Sequence, residues 1–368
     1  MTGNSDLRIC PLCSLFCDQA DNESKTGNAA IWDCWLAKEG LRQWSHQVAR
    51  FAQSGADLAA DFAQVRKARP ISVEAIAVDQ ATAQALIHRG QNGQIQLSTV
   101  RGATYAAISD ATVRDGVIRA TLGDVAAHAD VIWALGDLDS IYPRWRVRCG
   151  ISVQDSQSDD EKTLLPYDGP VDASTMADVA RRVREIRRGE RDGQTDTVHC
   201  GDWIRTIAGS QYLAVCVAPD AFATTDADLT AVMLLRLIRF LNESTRAVLV
   251  TLDAAATLDW MSLTMTNRAT RTSDHDGDAV DIRLVGHSVR TDWQRPAKLQ
   301  IGGIDPGPTL AKQFQPASLG GLHGDATVIR GDSSVALGLT GRSGDGLESS
   351  NPSPPTILDI LDIHLSAS

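Results

Sequence analysis

Three cysteines near the amino terminus have the spacing of a metal-binding loop. The segment RICPLCSLFCDQ holds Cys10, Cys13 and Cys17 in the pattern C-x2-C-x3-C, and Cys34 follows in IWDCWLAKEG. Four such thiolates could bind an iron–sulfur cluster or a zinc ion, form disulfides, or remain as unbound thiols. The pattern predicts a metal site at Cys10, Cys13, Cys17 and Cys34, and the identity of the metal depends on what the rest of the chain supports.

The spacing favours an iron–sulfur cluster, and it does not exclude zinc. Sulfurs from a short irregular loop can surround one corner of a [4Fe-4S] cluster, and one distant cysteine completes that pattern. Zinc bound by four cysteines normally uses two C-x2-C pairs, and only one pair is present here. A [4Fe-4S] site, either occupied or vestigial, is therefore favoured over zinc and over free thiols. The other cysteines, Cys149, Cys200 and Cys216, are interpreted as small apolar residues in or beside strands.

Length and charge limit the class of protein. A chain of 368 residues is long for one core and predicts two or three domains. The net charge of −11 argues against nucleic acid or an anionic membrane as the main partner. No stretch reaches the roughly 20 apolar residues of a membrane-spanning helix, and the opening MTGNSDLRIC lacks the features of a secretory signal. We expect a cytoplasmic protein, whose reducing compartment favours metal ligands over disulfides.

Buried strands alternate with helices along the chain. A helix is predicted over residues 37–69, and the apolar runs VIWALG, YLAVCV and RAVLVTL predict strands buried on both faces. The strong helix pattern TTDADLTAVMLLRLIRFL lies between the last two of these strands. This alternation predicts an α/β fold with doubly wound parallel sheets. No G-x-G-x-x-G motif follows a strand, so no dinucleotide site is inferred.

Composition changes suggest where the domains end. We expect an amino-terminal cysteine segment and helix over 1–70, a first α/β domain over 71–200, a second α/β domain over 201–345, and a linker and tail over 346–368. Within the second domain, GDAVDIRLVGHS, AKLQIGG and ATVIRGDSSVALGL predict small β-structures at the edge of a sheet. The ending TILDILDIHLSAS is amphipathic and suits a tail lying on a partner protein, with a disordered end as the alternative.

Two of these segments resemble a known family. CPLCSLFCD and GDVAAHADVIWALGDLDSIYPRWRVRCG resemble the B subunit of formylmethanofuran dehydrogenase, and resemble still more the B subunit of the bacterial formyltransferase/hydrolase complex. ASLGGLHGDATVIRGDSSVALGL is a third, weaker match. The resemblance implies a molybdopterin-oxidoreductase-like fold (formate dehydrogenase/DMSO reductase domains 1–3), reduced in size. In the dehydrogenase it implies a [4Fe-4S] cluster on the amino-terminal cysteines and a tungsten or molybdenum pterin. In the bacterial complex it implies an amidohydrolase-like subunit, a β-helical subunit and a formyltransferase subunit as partners.

One position separates the two members of that family. The dehydrogenase binds its metal through a cysteine in an S-x-C-H-G type loop after a strand, and LSTVRGATYAA fits that place here, with Val100 and Arg101 where Cys and His would be. A valine side chain cannot donate to a metal as a thiolate does. We therefore expect no tungsten or molybdenum pterin.

The expected function follows from the absence of a metal-ligating cysteine at this position. It is that of a non-catalytic, scaffolding B subunit of a formyltransferase/hydrolase complex in tetrahydromethanopterin- and methanofuran-linked oxidation of formaldehyde to formate. The alternatives are an active B subunit of formylmethanofuran dehydrogenase with both metal centres, and a zinc-stabilised interaction module unrelated to one-carbon metabolism.

Overall fold

A computed structural model describes most of the chain in two compact units. The described residues are 9–17, 34–48, 56–151, 162–189, 202–223, 225–271, 279–289, 293–333, 335–340 and 355–366. Unit 1 comprises Met1–Val100 and Ala254–Ser368, and unit 2 comprises Arg101–Asp253. The chain thus leaves unit 1 after Val100 and returns to it at Ala254.

The described residues form helices and short strands in alternation. The helices are α1 (Trp35–Val48), α2 (Ala56–Ala68), α3 (Gln80–Gln91), α4 (Ala103–Asp115), α5 (Leu122–His128), α6 (Leu138–Ile141), α7 (Trp145–Arg148), α8 (Ala173–Arg187), α9 (Asp202–Gly209), α10 (Ala227–Leu241), α11 (Ala256–Thr266) and α12 (Ile357–Ser366). The strands are β1 (Ile71–Ile76), β2 (Ile95–Thr99), β3 (Val131–Leu135), β4 (Thr163–Tyr167), β5 (Tyr212–Val217), β6 (Arg246–Thr251), β7 (Val280–Val285), β8 (Ala297–Gly302), β9 (Ala311–Gln315), β10 (Ala326–Ile329) and β11 (Ala336–Leu339).

Unit 1 is built on a five-stranded sheet in the order β2-β1-β7-β8-β9. Every pairing in it is parallel. One core contains side chains of β1, β7 and β8 together with Phe62 of α2 and Ile360 and Leu361 of α12. The antiparallel hairpin β10–β11 belongs to the same unit. Among the described residues, all strands of unit 1 other than β10 and β11 belong to the five-stranded sheet.

Unit 2 is built on a four-stranded parallel sheet in the order β4-β3-β5-β6. All residues of β3 and β5 are buried, as their continuous apolar sequences predict. Its core joins these strands to α4, α8 and α10. The parallel α/β class expected from the sequence is confirmed for both units.

The bounds of the two units differ from the domains expected from the sequence. The expected limit near residue 200 would part β3 from β5, and these strands pair along their whole length, from Val131–Leu213 to Leu135–Val217. The expected first domain would also join β1 and β2 to unit 2, although they pair in the sheet of unit 1. The sequence shows the alternation of elements, and it does not show that one unit is inserted within the other.

Two local expectations were wrong for identifiable physical reasons. β7 lies in the middle of the sheet of unit 1, not in a small structure at its edge, and all six of its residues are buried. Its polar residues Asp281 and Arg283 gave the strand a half-exposed pattern, but ion pairs satisfy both inside the unit. The carboxyl-terminal helix α12 packs on α2 and β8 of its own unit, whereas the sequence suggested a tail on a partner.

Two further expectations concern the amino-terminal helix and the linker before the carboxyl-terminal tail. The helix predicted over 37–69 is two helices, α1 and α2, with 49–55 outside the described residues. Most of the expected linker, 346–354, also lies outside them. Within the described part of the chain, no helix has the length and apolar character needed to cross a membrane.

Candidate metal site

The cysteine loop, residues 9–17, lies against the carboxyl edge of the sheet of unit 1. In this sheet β2 follows β1 on one side and β7 lies on the other, so the strand order reverses between β1 and β7. Ligand sites of parallel sheets occur at such a reversal, outside the carboxyl ends of the strands. The amides of Gly286 and His287, just after β7, donate to the carbonyls of Ile76 and Ala77 at 3.0 and 2.7 Å. These bonds fix the position of Gly286 and His287, the segment that contacts the cysteine loop.

Residues between the cysteines attach the loop to unit 1. His287 Nδ1 donates to the carbonyl of Pro11 at 2.9 Å, and its ring meets Phe16 edge-on at 5.3 Å. The amide of Gly331 donates to the carbonyl of Ser14 at 2.7 Å. Phe16 is itself buried against Val328 and Leu339 of the β10–β11 hairpin. The loop is therefore held at three positions that are not cysteines.

The turn at Cys13 is closed by backbone hydrogen bonds. The amide of Phe16 donates to the carbonyl of Cys13 at 3.1 Å, and Phe16 adopts a φ of 43° to close the turn. Burial and the neighbouring thiols raise the pKa of Cys13 well above its usual value, and a hydrogen bond from the amide of Leu15 offsets only part of that rise. An amide directed at sulfur favours the charged form that metals bind. The loop is closed at its ends by a bond from the Cys10 amide to the Cys17 carbonyl at 2.8 Å.

Cys34 reaches the loop from the start of α1. Its carbonyl accepts from the amide of Lys38 at 3.0 Å, as expected at a helix start. Cys10 and Cys34 both pack against the cluster of Leu12, Ala37 and Leu322. The fourth predicted ligand therefore lies in the same apolar cluster as the first.

The thiols of Cys10, Cys17 and Cys34 lie near enough to Cys13 to affect its pKa. Burial raises this pKa well above its usual value, and the nearby Cys17, Cys10 and Cys34 raise it further. A metal that binds here must therefore displace protons, because only thiolates are ligands. Among the described residues, no group of three or more His, Cys, Asp or Glu side chains is arranged to hold a metal ion. The donor set fits a thiophilic metal, and metal binding by these cysteines stays a prediction.

The space beside the loop is small. A cavity of about 20 Å³ lies next to Leu12, between the ends of β7 and β8, and Gly286, Gly303 and Ser318 are among its lining residues. A volume of this size holds roughly one water molecule. The cavity beside Leu12 is therefore about the size of one water molecule.

Val100 is half-buried against apolar side chains. It follows β2 and packs against the buried cluster of Ile76, Ala77, Val285 and Trp293. Its neighbour Arg101 is almost buried, with its guanidinium 3.9 Å from the carboxylate of Asp110. At the place where the resemblance puts a metal-ligating cysteine, the chain thus has a hydrocarbon contact.

The remaining cysteines belong to unit 2 or lie outside the described residues. Cys149 and Cys216 are both buried, and Cys216 lies on β5. A hydrogen bond with Cys149, together with burial, raises the pKa of Cys216 well above its usual value. This agrees with their interpretation as small apolar residues. Cys200 lies outside the described residues.

The contact of His287 with the cysteine loop was not predicted from the sequence, nor were the backbone contacts beside it. The signal that could have found it is the run LVGHS, where glycine and histidine directly follow a strand. If β7 had been recognised as a central parallel strand, the residues just after it would have been expected at the ligand edge. Gly331 carries no such signal, since its bond to the loop comes from a backbone amide.

The fold and the loop define a parallel α/β protein with a cysteine-rich segment at the edge of one sheet. No family model matches the chain, and no curated protein sequence matches it. In fold it is similar to a chain of the X-ray crystal structure of the formyltransferase/hydrolase complex (FhcABCD) from Methylorubrum extorquens in complex with methylofuran. The TM-score is 0.61 at 18% identity, and the match covers 86% of this chain and 96% of that chain. At this identity the similarity establishes the fold.

Proposed function

We propose that this protein is a non-catalytic, scaffolding subunit of a formyltransferase/hydrolase complex in methanofuran-linked oxidation of one-carbon units. Its place would be that of the B subunit, beside an amidohydrolase-like subunit, a β-helical subunit and a formyltransferase subunit. The similarity in fold to a chain of such a complex supports this role, as do the segments that resemble the B subunit. The proposal includes descent from a molybdopterin-oxidoreductase fold that has become smaller.

The observation that carries the non-catalytic part is the packing of Val100. A valine packed against Ile76, Ala77, Val285 and Trp293 offers no lone pair to a metal. Replacing it by a polar ligand would leave that ligand among apolar side chains, at a cost in stability. We infer that the pterin redox centre is lost and that formyl transfer and hydrolysis take place on the partner proteins.

The cysteine loop is proposed to bind a [4Fe-4S] cluster, with a zinc ion as the second candidate. Cys10, Cys13, Cys17 and Cys34 would be its ligands, and a cluster there would supply a rigid cross-link and a one-electron centre. The chain's own contribution is the arrangement described above: a closed turn, an amide bonded to the Cys13 thiol and an apolar wall at Cys10 and Cys34. Zinc is retained as a candidate because the same four thiols suit it.

The test is purification of the protein from its own cells with bound partners, followed by metal analysis. We expect an amidohydrolase-like protein and a formyltransferase to co-purify, with iron or zinc present and neither tungsten nor molybdenum above background. Tungsten or molybdenum with pterin, together with formate reduction by an artificial electron donor, would show an active dehydrogenase. Zinc alone with unrelated partners would show an interaction module instead.

A matched pair of variants tests the ligands in the same preparation. Cys13→Ser should lower the bound iron or zinc to background, because it removes the ligand at the centre of the turn. Cys149→Ala removes a buried cysteine of unit 2 and should leave the metal content unchanged. Equal metal content in both variants would remove the cysteine loop from consideration as the metal site.

A further inference from the structure

Several contacts of the cysteine loop with the rest of unit 1 are made by residues that lie between its cysteines. Pro11, Ser14 and Phe16 contact the rest of unit 1, and Cys10, Cys13 and Cys17 lie between and beside them. The shape of the loop is thus set by groups that are not themselves ligands. Such supporting contacts fix the orientation of ligands and commonly change metal affinity by a factor of about 10 to 100 when they are removed.

The side chain of His287 contacts the loop at two places. Its Nδ1 is 2.9 Å from the carbonyl of Pro11, and its ring lies edge-on to Phe16. A carbonyl oxygen only accepts, so Nδ1 carries the hydrogen. The imidazole therefore binds the loop just after Cys10 and again just before Cys17.

His287 is itself rigidly placed. Its amide donates to Ala77 at 2.7 Å, and the residue is 2% exposed. A β-carbon on the preceding Gly286 would lie 2.2 Å from the carbonyl oxygen of Ala77, so the two strand ends meet without a side chain between them. A fixed donor of this kind orders the loop before any metal binds.

We propose that His287 is a positioning residue that preorganises the cysteine loop for metal binding. This inference rests on the proposed metal-binding role of Cys10, Cys13, Cys17 and Cys34, and is independent of the proposed place in a complex. His287 acts through the loop and is not a ligand. Without the hydrogen bond from His287, the metal-free loop is less ordered. Metal binding must then order the loop, and the free energy that this costs lowers the affinity for the metal.

The chain offers a matched control in His364 of α12. This histidine is also buried, also lies edge-on to a phenylalanine (Phe62, 5.8 Å), and its Nε2 is 3.1 Å from Oε1 of Gln315. It belongs to unit 1 like His287, but these contacts are with α2 and β9 and not with the loop. Replacing either histidine by leucine removes the same kind of contacts.

The experiment measures binding of Co²⁺ alone to the reduced full-length chain under anaerobic conditions. The readout is the thiolate-to-cobalt charge-transfer absorption, which reports sulfur ligation directly. His287→Leu removes the donor, whereas His287→Asn places an amide nitrogen at the same number of bonds from Cα and can donate to Pro11. Amide hydrogen exchange of residues 9–17 in the metal-free protein gives a second readout.

We expect His287→Leu to weaken Co²⁺ binding roughly 10-fold, the effect of losing about one buried hydrogen bond. His287→Asn should restore most of the affinity, and His364→Leu should bind as the wild type does despite its lower stability. Exchange of residues 9–17 should be faster in His287→Leu alone. Wild-type affinity in His287→Leu, or equal losses in His287→Leu and His364→Leu, would overturn the inference. Absence of Co²⁺ binding by the wild type would overturn it together with the metal site, whereas failure of the co-purification would leave it standing.

Discussion

Gly286 lies where two neighbouring strand ends come into backbone contact. A β-carbon there would be 2.2 Å from the Ala77 carbonyl oxygen and 2.9 Å from its carbon, and backbone atoms cannot move aside as a flexible side chain can. The Gly286→Ala substitution should therefore lower the free energy of unfolding by about 2–4 kcal/mol. Urea denaturation followed by circular dichroism measures this.

The control for that substitution is Gly90 of α3 in the same unit. A β-carbon at Gly90 would meet only Cβ of Leu97, at an ordinary 3.7 Å. Gly90→Ala lies within the helix and should raise the stability by up to about 1 kcal/mol. Equal effects of the two substitutions would mean that β1 and β7 do not approach as closely as described.

His323 should make the stability depend on pH. Burial lowers its pKa from 6.5 to about 4, and its Nδ1 accepts from the amide of Leu319 at 2.9 Å. Between these pH values the unfolded chain binds a proton that the folded chain does not, so unfolding takes up a proton. The free energy of unfolding should therefore fall as the pH decreases from 6.5 towards 4, and level off below.

The measurement compares urea midpoints at several pH values for the wild type and His323→Asn, whose side-chain oxygen can still accept from Leu319. The variant should show a shallower decline. Burial also lowers the pKa values of His287 and His364, so a decline of the same sign should remain. An unchanged slope in the variant would show that His323 is not protected from protonation in the folded protein.

At the scale of the elements, the central pair of strands in unit 1 encloses a charge pair. Arg283 of β7 donates from Nε to Oε2 of Glu74 on β1 at 2.7 Å, and both side chains are almost fully buried. The guanidinium also lies 4.7 Å from the ring centre of Trp293 and donates to the carbonyl of Arg295 at 2.5 Å. The pair is satisfied on several sides, so removing one partner leaves an uncompensated buried charge.

Glu74→Leu should therefore lower the free energy of unfolding by about 3–5 kcal/mol. The double substitution Glu74→Leu with Arg283→Met removes both charges and should be less destabilising than the single one. A double-mutant cycle by chemical denaturation measures the coupling. Additive effects of the two substitutions would show that the charges do not interact in the folded protein.

The Glu74–Arg283 pair and the ion pairs beside it also show why one strand could not be predicted from the sequence. β3, β5, β6 and α10 could be predicted because their sequences are apolar throughout or follow the helical period. β7 could not, because Asp281 and Arg283 resemble the polar face of an exposed strand. Their partners, Arg69, Lys298 and Glu74, are distant in the sequence or on other strands, and a pattern within one strand does not show them.

The candidate site likewise has one part that could be predicted from the sequence and one part that could not. The cysteines could be predicted because their types and spacing are local, and the loop that contains three of them is one closed turn. The scaffold of the loop could not, since His287 and Gly331 come from segments far along the chain. Residue type and spacing indicate the proposed ligands, whereas the groups proposed to orient them are brought to the loop by the fold.

At the scale of the whole molecule, unit 2 is a continuous stretch of chain with its own sheet and core. A protein consisting of residues 101–253 should therefore fold by itself and unfold cooperatively in urea. A protein consisting of 71–200 is the control, since it lacks β5 and β6, which pair with β3 and with each other. Circular dichroism and denaturation distinguish the two; a cooperative transition in 71–200 but not in 101–253 would contradict the division described here.

Insertion of unit 2 within unit 1 also has a consequence for how the protein matures in the cell. Pro11 and His287 are 276 positions apart, with the whole of unit 2 made between them. At about 5–20 residues per second, a ribosome needs roughly 14–55 s to travel that distance. The thiols leave the exit tunnel long before the histidine proposed to orient them exists, so the proposed site can be assembled only after unit 2 has been made. A metal bound at the proposed site would therefore meet a chain in which unit 2 has already been made.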